Sequence, residues 1–558
     1  MGKILTLHDP HSARAHYLSG AWQNDTLYGL LAHHATVRGD AFALRDGVRR
    51  LTWAQLRDWV DAVAHDLDTA GVRRGDRVAV WLPNRVESMV TLLACGRNGY
   101  MCNPSLHQNY TVEEIVMLLQ RIDCTVLVTQ VGHGADAHKA SVFDRLGDIA
   151  SLKRCFALPR PGTGSDVPAG TVPFPASRAL AAARAPDTDP DKVMYLAFTS
   201  GTTGLPKGVM HTDNTLLANG RAMVADWGHD ENTVLVCLSP MSHHISTVAL
   251  EQTLVCGCEM VMTDPRAGRS AIDWIVETGA TYVMGVPTHG MDILQAMQDR
   301  DLTALGKVRV FYMAGAPIPK ETANRFLTLG IKPQNVYGMT ENGSHQYTLP
   351  TDTAEVITGT CGKACKGYEV KLWSQENPNV EAAPGEVGEI GGRGGVLMLG
   401  YFGNQGATES TFNEHGWMMS GDLGRFDAHG NLQIVGRKKD LIIRGGHNIH
   451  PARIEDLAYR HAAVTKAAAF PVADERLGEK VCLALICAGT PPTGDEMLLH
   501  LDREGLSKFD MPEYFVVLPE FPLTPSGKIL KRELIEWTKA GRIAPTPVRF
   551  KATSQEAR

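Results

Sequence analysis

A chain of 558 residues is too long for one ordinary hydrophobic core, and its 44% apolar content is enough to fill two or three. A net charge of −6 and a pI near 6.4 supply no basic field, which argues against nucleic acid or an anionic membrane surface as a partner. Eleven cysteines scattered from Cys95 to Cys487 lack the framework of a disulfide-stapled secreted domain, and neither a signal-peptide core nor a membrane-length apolar run is found, so a cytoplasmic globular protein with no membrane span is expected.

The helix-like stretch from Trp53 to Leu67 and the apolar run Val78 to Leu82 open an alternation of helical and strand patterns over residues 51–130. Such alternation predicts an α/β fold with doubly wound sheets. Thr111 and Glu114 stand three residues apart at the head of the next helical pattern, where hydroxyl and carboxylate can each satisfy a free backbone donor. A helix to about Arg121 and a strand from Thr125 to Thr129 follow. From Ala157 to Pro190 the chain carries seven prolines among many Ala, Gly and Ser, which predicts a surface connection within a large domain. The strand pattern resumes at Met194 to Phe198.

The charged cluster Arg437–Asp440 precedes a helix opening at Pro451, a favoured first helical residue. A boundary there gives a large N-terminal domain of residues 1–438 and a small α/β domain of residues 439–558. Cys256 with Cys258, and Cys361 with Cys365, lack the second pair that a tetrahedral zinc site needs, so they read as buried thiols. Met1-Gly2 with Thr6 matches the myristoylation pattern, a string short enough to arise by chance.

The segment from Thr199 to Val209 holds most of the chemical information. Thr199, Ser200, Gly201, Thr202, Thr203 and Gly204 follow an apolar strand and offer amides and hydroxyls to phosphate oxygens, and Lys207 adds a mobile positive charge. No Gly-x4-Gly-Lys-Ser/Thr string occurs, so this is not a Walker loop. The segment resembles the signature of the adenylate-forming superfamily, which includes acyl-CoA synthetases and peptide-synthetase adenylation domains.

The resemblance extends downstream in the family's motif order and implies roles for individual residues. Gly315, Ala316 and Pro317 would line the adenine pocket. In the motif of Tyr337, Gly338, Met339, Thr340 and Glu341, the tyrosine would stack on adenine, the threonine touch the α-phosphate and the glutamate hold Mg²⁺; aromatic faces and hard carboxylate oxygens suit those tasks. Asp422 would accept from the ribose hydroxyls, with Arg437 on ribose or phosphate. Lys528, in Pro525-Ser-Gly-Lys, resembles the catalytic lysine: attack of a carboxylate on the α-phosphate joins two anions, and a cation bridging them stabilises the transition state.

In this family one site first surrounds ATP and acid and then admits a thiol, so a rotating C-terminal lid is implied, with its hinge at Lys439. Gly445 and Gly446 would approach the pantetheine of coenzyme A. His243 aligns with the gate over the bound acid, His244 is its neighbour, and Trp227, Val286 and Met313 are candidates for the pocket beyond. No carboxylate occurs between Pro240 and Leu250 to pair with a substrate ammonium, which favours an acid without an α-amine.

The implied activity is an ATP-dependent acid–CoA ligase that forms an acyl-adenylate and then a thioester, with ATP, Mg²⁺ and coenzyme A as cofactors. The chain is similar to cyclohexanecarboxylate–CoA ligases and to short- or medium-chain fatty acid–CoA ligases, and an alicyclic acid is placed first. The alternatives are a fatty or aryl acid, a stand-alone adenylation enzyme loading a carrier protein, and a non-catalytic adenylate-binding scaffold. A homodimer is compatible with this reading.

Overall fold

The computed structural model describes residues 9–163, 166–180, 184–199, 206–264, 268–316, 318–523 and 529–550. The first 51–130 region folds as its pattern predicts. Trp53–Thr69 is a helix whose Thr52 and Gln55 form a reciprocal cap, and its face of Trp53, Leu56, Val60 and Val63 is buried. Thr111 and Glu114 form the predicted capping box, and the helix Val112–Arg121 runs into the strand Cys124–Gln130.

That strand belongs to a seven-stranded sheet in the order Val172–Pro173, Arg154–Leu158, Cys124–Gln130, Arg77–Trp81, Met101–Asn103, Val193–Thr199, Lys207–Thr212. All its pairs are parallel except the last, a hairpin. The proline-rich stretch is a surface connection for most of its length, but its first two residues finish the strand Arg154–Leu158 and its middle adds the short Val172–Pro173. Edge strands tolerate Pro173 because a proline missing its N–H costs nothing on the open side.

A nine-stranded sheet lies alongside. Its parallel centre is Phe42–Arg45, Glu259–Met262, Val234–Cys237, Tyr282–Gly285, Val310–Ala314 and Lys332–Met339, with antiparallel strands on both edges. Helices including Trp53–Thr69, Val86–Asn98, Asp213–Trp227 and His244–Cys256 contribute to one apolar core shared with strands of both sheets. The last two are buried nearly all round, as helices packed between layers must be.

Four antiparallel strands, Tyr368–Trp373, Gly388–Gly394, Met418–Phe426 and Leu432–Arg437, form a third sheet. A six-stranded sheet follows, from Ile442–Arg444 to Thr546–Pro547, covered by helices that include Pro451–Ala458 and Gly494–Arg503. The helix Pro451–Ala458 lies against the strand Leu432–Arg437. All eleven cysteines are free, and no cluster of three or more metal-ligating side chains occurs among the described residues. No helix among them is long and apolar enough to cross a membrane.

Candidate active site

The hairpin of Val193–Thr199 and Lys207–Thr212 sets Thr199 opposite Lys207. The loop is therefore shorter than the motif: Lys207 and Val209 are strand residues, and the lysine has a fixed root. Ser200, Gly201, Thr202, Thr203, Gly204, Pro317 and Lys528, along with Met1, Gly2 and Thr6, lie outside the described residues.

The Lys207 ammonium sits 4.6 Å from the centroid of the Tyr401 ring. The Tyr401 hydroxyl donates to Glu341 Oε1 at 2.9 Å. Cation, phenol and carboxylate are thus aligned. Burial raises the Glu341 pKa, while the Tyr401 hydroxyl and the nearby Lys207 charge pull it back down. A carboxylate shielded from water suits Mg²⁺, which typically takes one or two protein carboxylates and completes its shell with phosphate oxygens and water.

Glu341 occupies the turn between Lys332–Met339 and Gly343–Tyr347, and the turn requires glycine at its base. A Cβ on Gly338 would lie 1.9 Å from the Gly343 carbonyl oxygen. Thr340 is anchored by its backbone: its carbonyl accepts from His211 Nε2 at 2.7 Å. The proton must then be on Nε2, leaving Nδ1 to accept from the Thr215 hydroxyl at 3.0 Å. Burial pushes His211 down to about 4, which keeps that tautomer neutral. His211 and Tyr401 were not among the residues expected from sequence. His211 lies four residues after Lys207 on the same strand, and Tyr401 reaches the site from a segment bridged to Val209.

A second group surrounds Asp422. Antiparallel pairing sets it opposite Arg437. Tyr337 donates its hydroxyl to Asp422 Oδ2 at 2.9 Å, and Arg437 Nε lies 3.1 Å from Oδ1. Burial first, and the Asp422 charge after it, hold the Tyr337 phenol well above its ordinary value, so it remains a donor. Both carboxylate oxygens are engaged, so a ribose must share their remaining lone pairs or displace one partner. Met339 is half-buried beside this group, and its N–H donates to Asn342 Oδ1. Gly315 ends the strand Val310–Ala314 with φ 91°, which favours glycine, and Ala316 is exposed beside it.

The two histidines part company. His243 caps the helix His244–Cys256, its Nδ1 accepting from the Ile245 N–H at 3.3 Å. His244 is buried, with Nδ1 3.1 Å from the Tyr195 hydroxyl and its ring stacked on His211 at 5.6 Å. Trp227 and Val286 belong to the main core. Met313 belongs to a separate cluster with Phe311 and Phe326, so it does not join them in one pocket wall, because alternate residues of a strand face opposite sides.

Lys439 is exposed in the short 3-10 turn Lys438–Asp440, whose Lys438 pairs with Glu389 at 2.9 Å. Gly445 and Gly446 form the tip of the hairpin between Ile442–Arg444 and His447–Ile449, with φ 57° and 87°. Its flanks are tied by Arg444 to Glu513 and by His447 to Asp510.

Residues 31–402 match the family model AMP-binding enzyme, and residues 453–528 match AMP-binding enzyme C-terminal domain. The chain is 29% identical to a medium-chain fatty-acid–CoA ligase of Escherichia coli over 95% of this chain and 93% of that one. It is 30% identical to a 2-hydroxy-7-methoxy-5-methyl-1-naphthoate–CoA ligase of Streptomyces carzinostaticus, over 96% and 97% of the two chains. Among solved structures it superposes on ATP-bound MatB from Rhodopseudomonas palustris with a TM-score of 0.77 and 27% identity, covering 92% of this chain and 99% of that one.

Proposed function

The chain belongs to the AMP-binding enzymes and is an AMP-forming acid–CoA ligase; from that premise we propose that it activates an acid without an α-amine, with an alicyclic ring acid first among the candidates. The observation that carries the site is the convergence of Lys207, Tyr401 and Glu341 with Tyr337, Asp422 and Arg437 around the end of one strand. The first group has the charges to hold triphosphate, and the second has the acceptor and the fork to hold ribose.

In the first half-reaction an oxygen of the substrate carboxylate attacks the α-phosphorus and pyrophosphate leaves. Mg²⁺ held by Glu341 would neutralise phosphate charge. Thr340, fixed by His211 through its carbonyl, would present its hydroxyl to the α-phosphate, and Lys528 would bridge the two meeting anions. In the second half-reaction the thiol sulfur of coenzyme A attacks the acyl carbon, loses its proton, and AMP leaves. We propose that domains of residues 1–438 and 439–558 exchange roles between the halves by rotation about Lys439, bringing Gly445 and Gly446 to the pantetheine. Eleven unpaired cysteines support a reducing, cytoplasmic setting.

The preference for an acid without an amine is supported by the absence of a carboxylate from Pro240 to Leu250. Medium-chain fatty and aryl acids are the competing substrates, as the relatives' names indicate. Pyrophosphate release across cyclic, aromatic and linear acids, each with and without coenzyme A, tests the reading. Adenylation of ring acids with AMP release dependent on coenzyme A is expected. Release that responds only to a carrier protein would replace the acceptor, and a preference for linear acids would replace the ring.

A further inference from the structure

The segment 240–243, which ends at His243, follows the strand Val234–Cys237 of the nine-stranded sheet but is held by side chains of the seven-stranded one. Asn84 stands just past the strand Arg77–Trp81, and its Oδ1 accepts from the Met241 N–H at 2.8 Å. His107 stands just past the strand Met101–Asn103, and its Nδ1 shares a hydrogen bond of 2.8 Å with the Ser242 hydroxyl. Those two strands are parallel neighbours, so both side chains leave the sheet at its carboxyl edge, where open α/β sheets bind their ligands. Asn84 also donates to the Thr263 carbonyl at 2.5 Å, just past the strand Glu259–Met262. The carboxyl edges of the two sheets are tied together here.

The loop that carries His107 also holds the root of the phosphate motif. Buried Ser105 accepts from the Phe198 N–H at 2.6 Å, one residue before Thr199, and donates its hydroxyl to Asn103 Oδ1 at 2.8 Å. Asn103 Oδ1 accepts from the Ser105 N–H as well, at 3.1 Å, a local turn that fixes the loop's shape. At the other end the His107 carbonyl accepts from the Trp81 indole N–H at 2.9 Å and from the Tyr110 N–H at 3.2 Å. With its backbone pinned in this way, the His107 ring holds Ser242 from a fixed base. The stretch 103–107 thus bonds the start of the phosphate motif through Ser105 and the neighbour of His243 through His107.

We propose that His107 and Ser105 are positioning residues: His107 fixes His243 through Ser242, Ser105 fixes the phosphate motif through Phe198, and their common loop keeps the acid in register with the nucleotide. This rests on the ligase reading, with the acid placed at His243. Attack requires the carboxylate oxygen to be held about 3–3.5 Å from phosphorus, and a misplacement of about 1 Å can cost about 100-fold in rate. A loop that grips both sides limits movement of one sheet's edge against the other.

The two ends of the loop should shift different Michaelis constants. Steady-state pyrophosphate release reads them, on whichever of cyclohexanecarboxylate, benzoate and octanoate the native enzyme turns over fastest. His107→Ala should raise KM for the acid by about 3- to 10-fold, the worth of one ordinary hydrogen bond, and leave KM for Mg–ATP within about twofold. His107→Asn, whose amide can still meet Ser242, should recover most of that loss. Ser105→Ala should do the reverse, raising KM for Mg–ATP and sparing KM for the acid. In both alanine variants kcat should fall, because either displacement spoils the approach. Ser242→Ala should reproduce His107→Ala, and combining the two should cost little more than either, since both delete one bond. Equal rises in the two constants, additive losses in the double variant, an unchanged kcat or an unchanged KM for the acid would each overturn the proposal. If His107→Ala does not fold, Ser242→Ala decides by the same split. An active enzyme whose variants lack the split would leave the ligase reading intact, whereas no pyrophosphate from any acid with the native enzyme would remove both.

Discussion

Replacing Lys528 by alanine should lower adenylation by about three orders of magnitude or more while thioester formation from supplied acyl-AMP falls far less, because only the first step brings two anions together. Single-turnover assays of each half-reaction check this, and equal losses would remove Lys528 from the role. Tyr401→Phe is a subtler change. It deletes the hydroxyl that steadies Glu341 and leaves the ring beneath Lys207. The expected result is a rise of about tenfold in KM for Mg–ATP with a smaller effect on KM for the acid, since a hydrogen bond to a charged group is worth about 1.5–3 kcal/mol. The glutamate and lysine could be named from their motifs, but the phenol between them could not. Tyr401 is sixty residues from Glu341 in sequence and meets it because the segment around Tyr401 lies along the strand Lys207–Thr212 and the Met398 N–H donates to the Glu341 carbonyl at 2.7 Å.

Strands and turns decide how well those side chains are aimed. Gly338→Ala would thrust a methyl group into the Gly343 carbonyl, so the turn that carries Thr340 and Glu341 must open. Activity should fall by at least tenfold and thermal stability should drop, measurable by assay and melting curve; an unperturbed variant would mean that the turn yields without cost. At the boundary between the third and fourth sheets, Lys439→Pro should impair thioester formation more than adenylation, because a proline fixes the backbone torsion that a rotation would have to change. Partial rates reduced alike would take the hinge away from Lys439. The capping box at Thr111 and Glu114 was legible because caps are local; the short strand Val172–Pro173 was not, because its pairing partner supplies its order.

Over the whole molecule, buried histidines make stability depend on pH. Burial pushes His107, His211, His229 and His289 down to about 4 and His345 to about 3, all below the ordinary value near 6.5. Between those limits the unfolded chain binds more protons than the folded one, so stability is complete above about pH 6.5 and is lost as pH falls toward 4. Denaturant unfolding at pH 7.5, 6 and 5 should show a loss of about 1–2 kcal/mol per buried histidine by pH 5. Stability unchanged across that range would mean that these rings take up protons without unfolding.

The amino-acid sequence alone determined the alternating α/β architecture, the glycine- and hydroxyl-rich motif after Phe198, and the family to which its ordered motifs point. Each of these is written in neighbouring residues, where periodicity, turn chemistry and motif spacing act over a few positions. Only the tertiary structure decided that Asp422 is already held by Tyr337 and Arg437, that His211 steadies Thr340, and that Glu251 is buried with no hydrogen-bond partner for its carboxyl among the described residues. Those facts depend on which strands and helices meet, and hydrogen bonding and burial are properties of the packed chain that no local stretch of sequence contains.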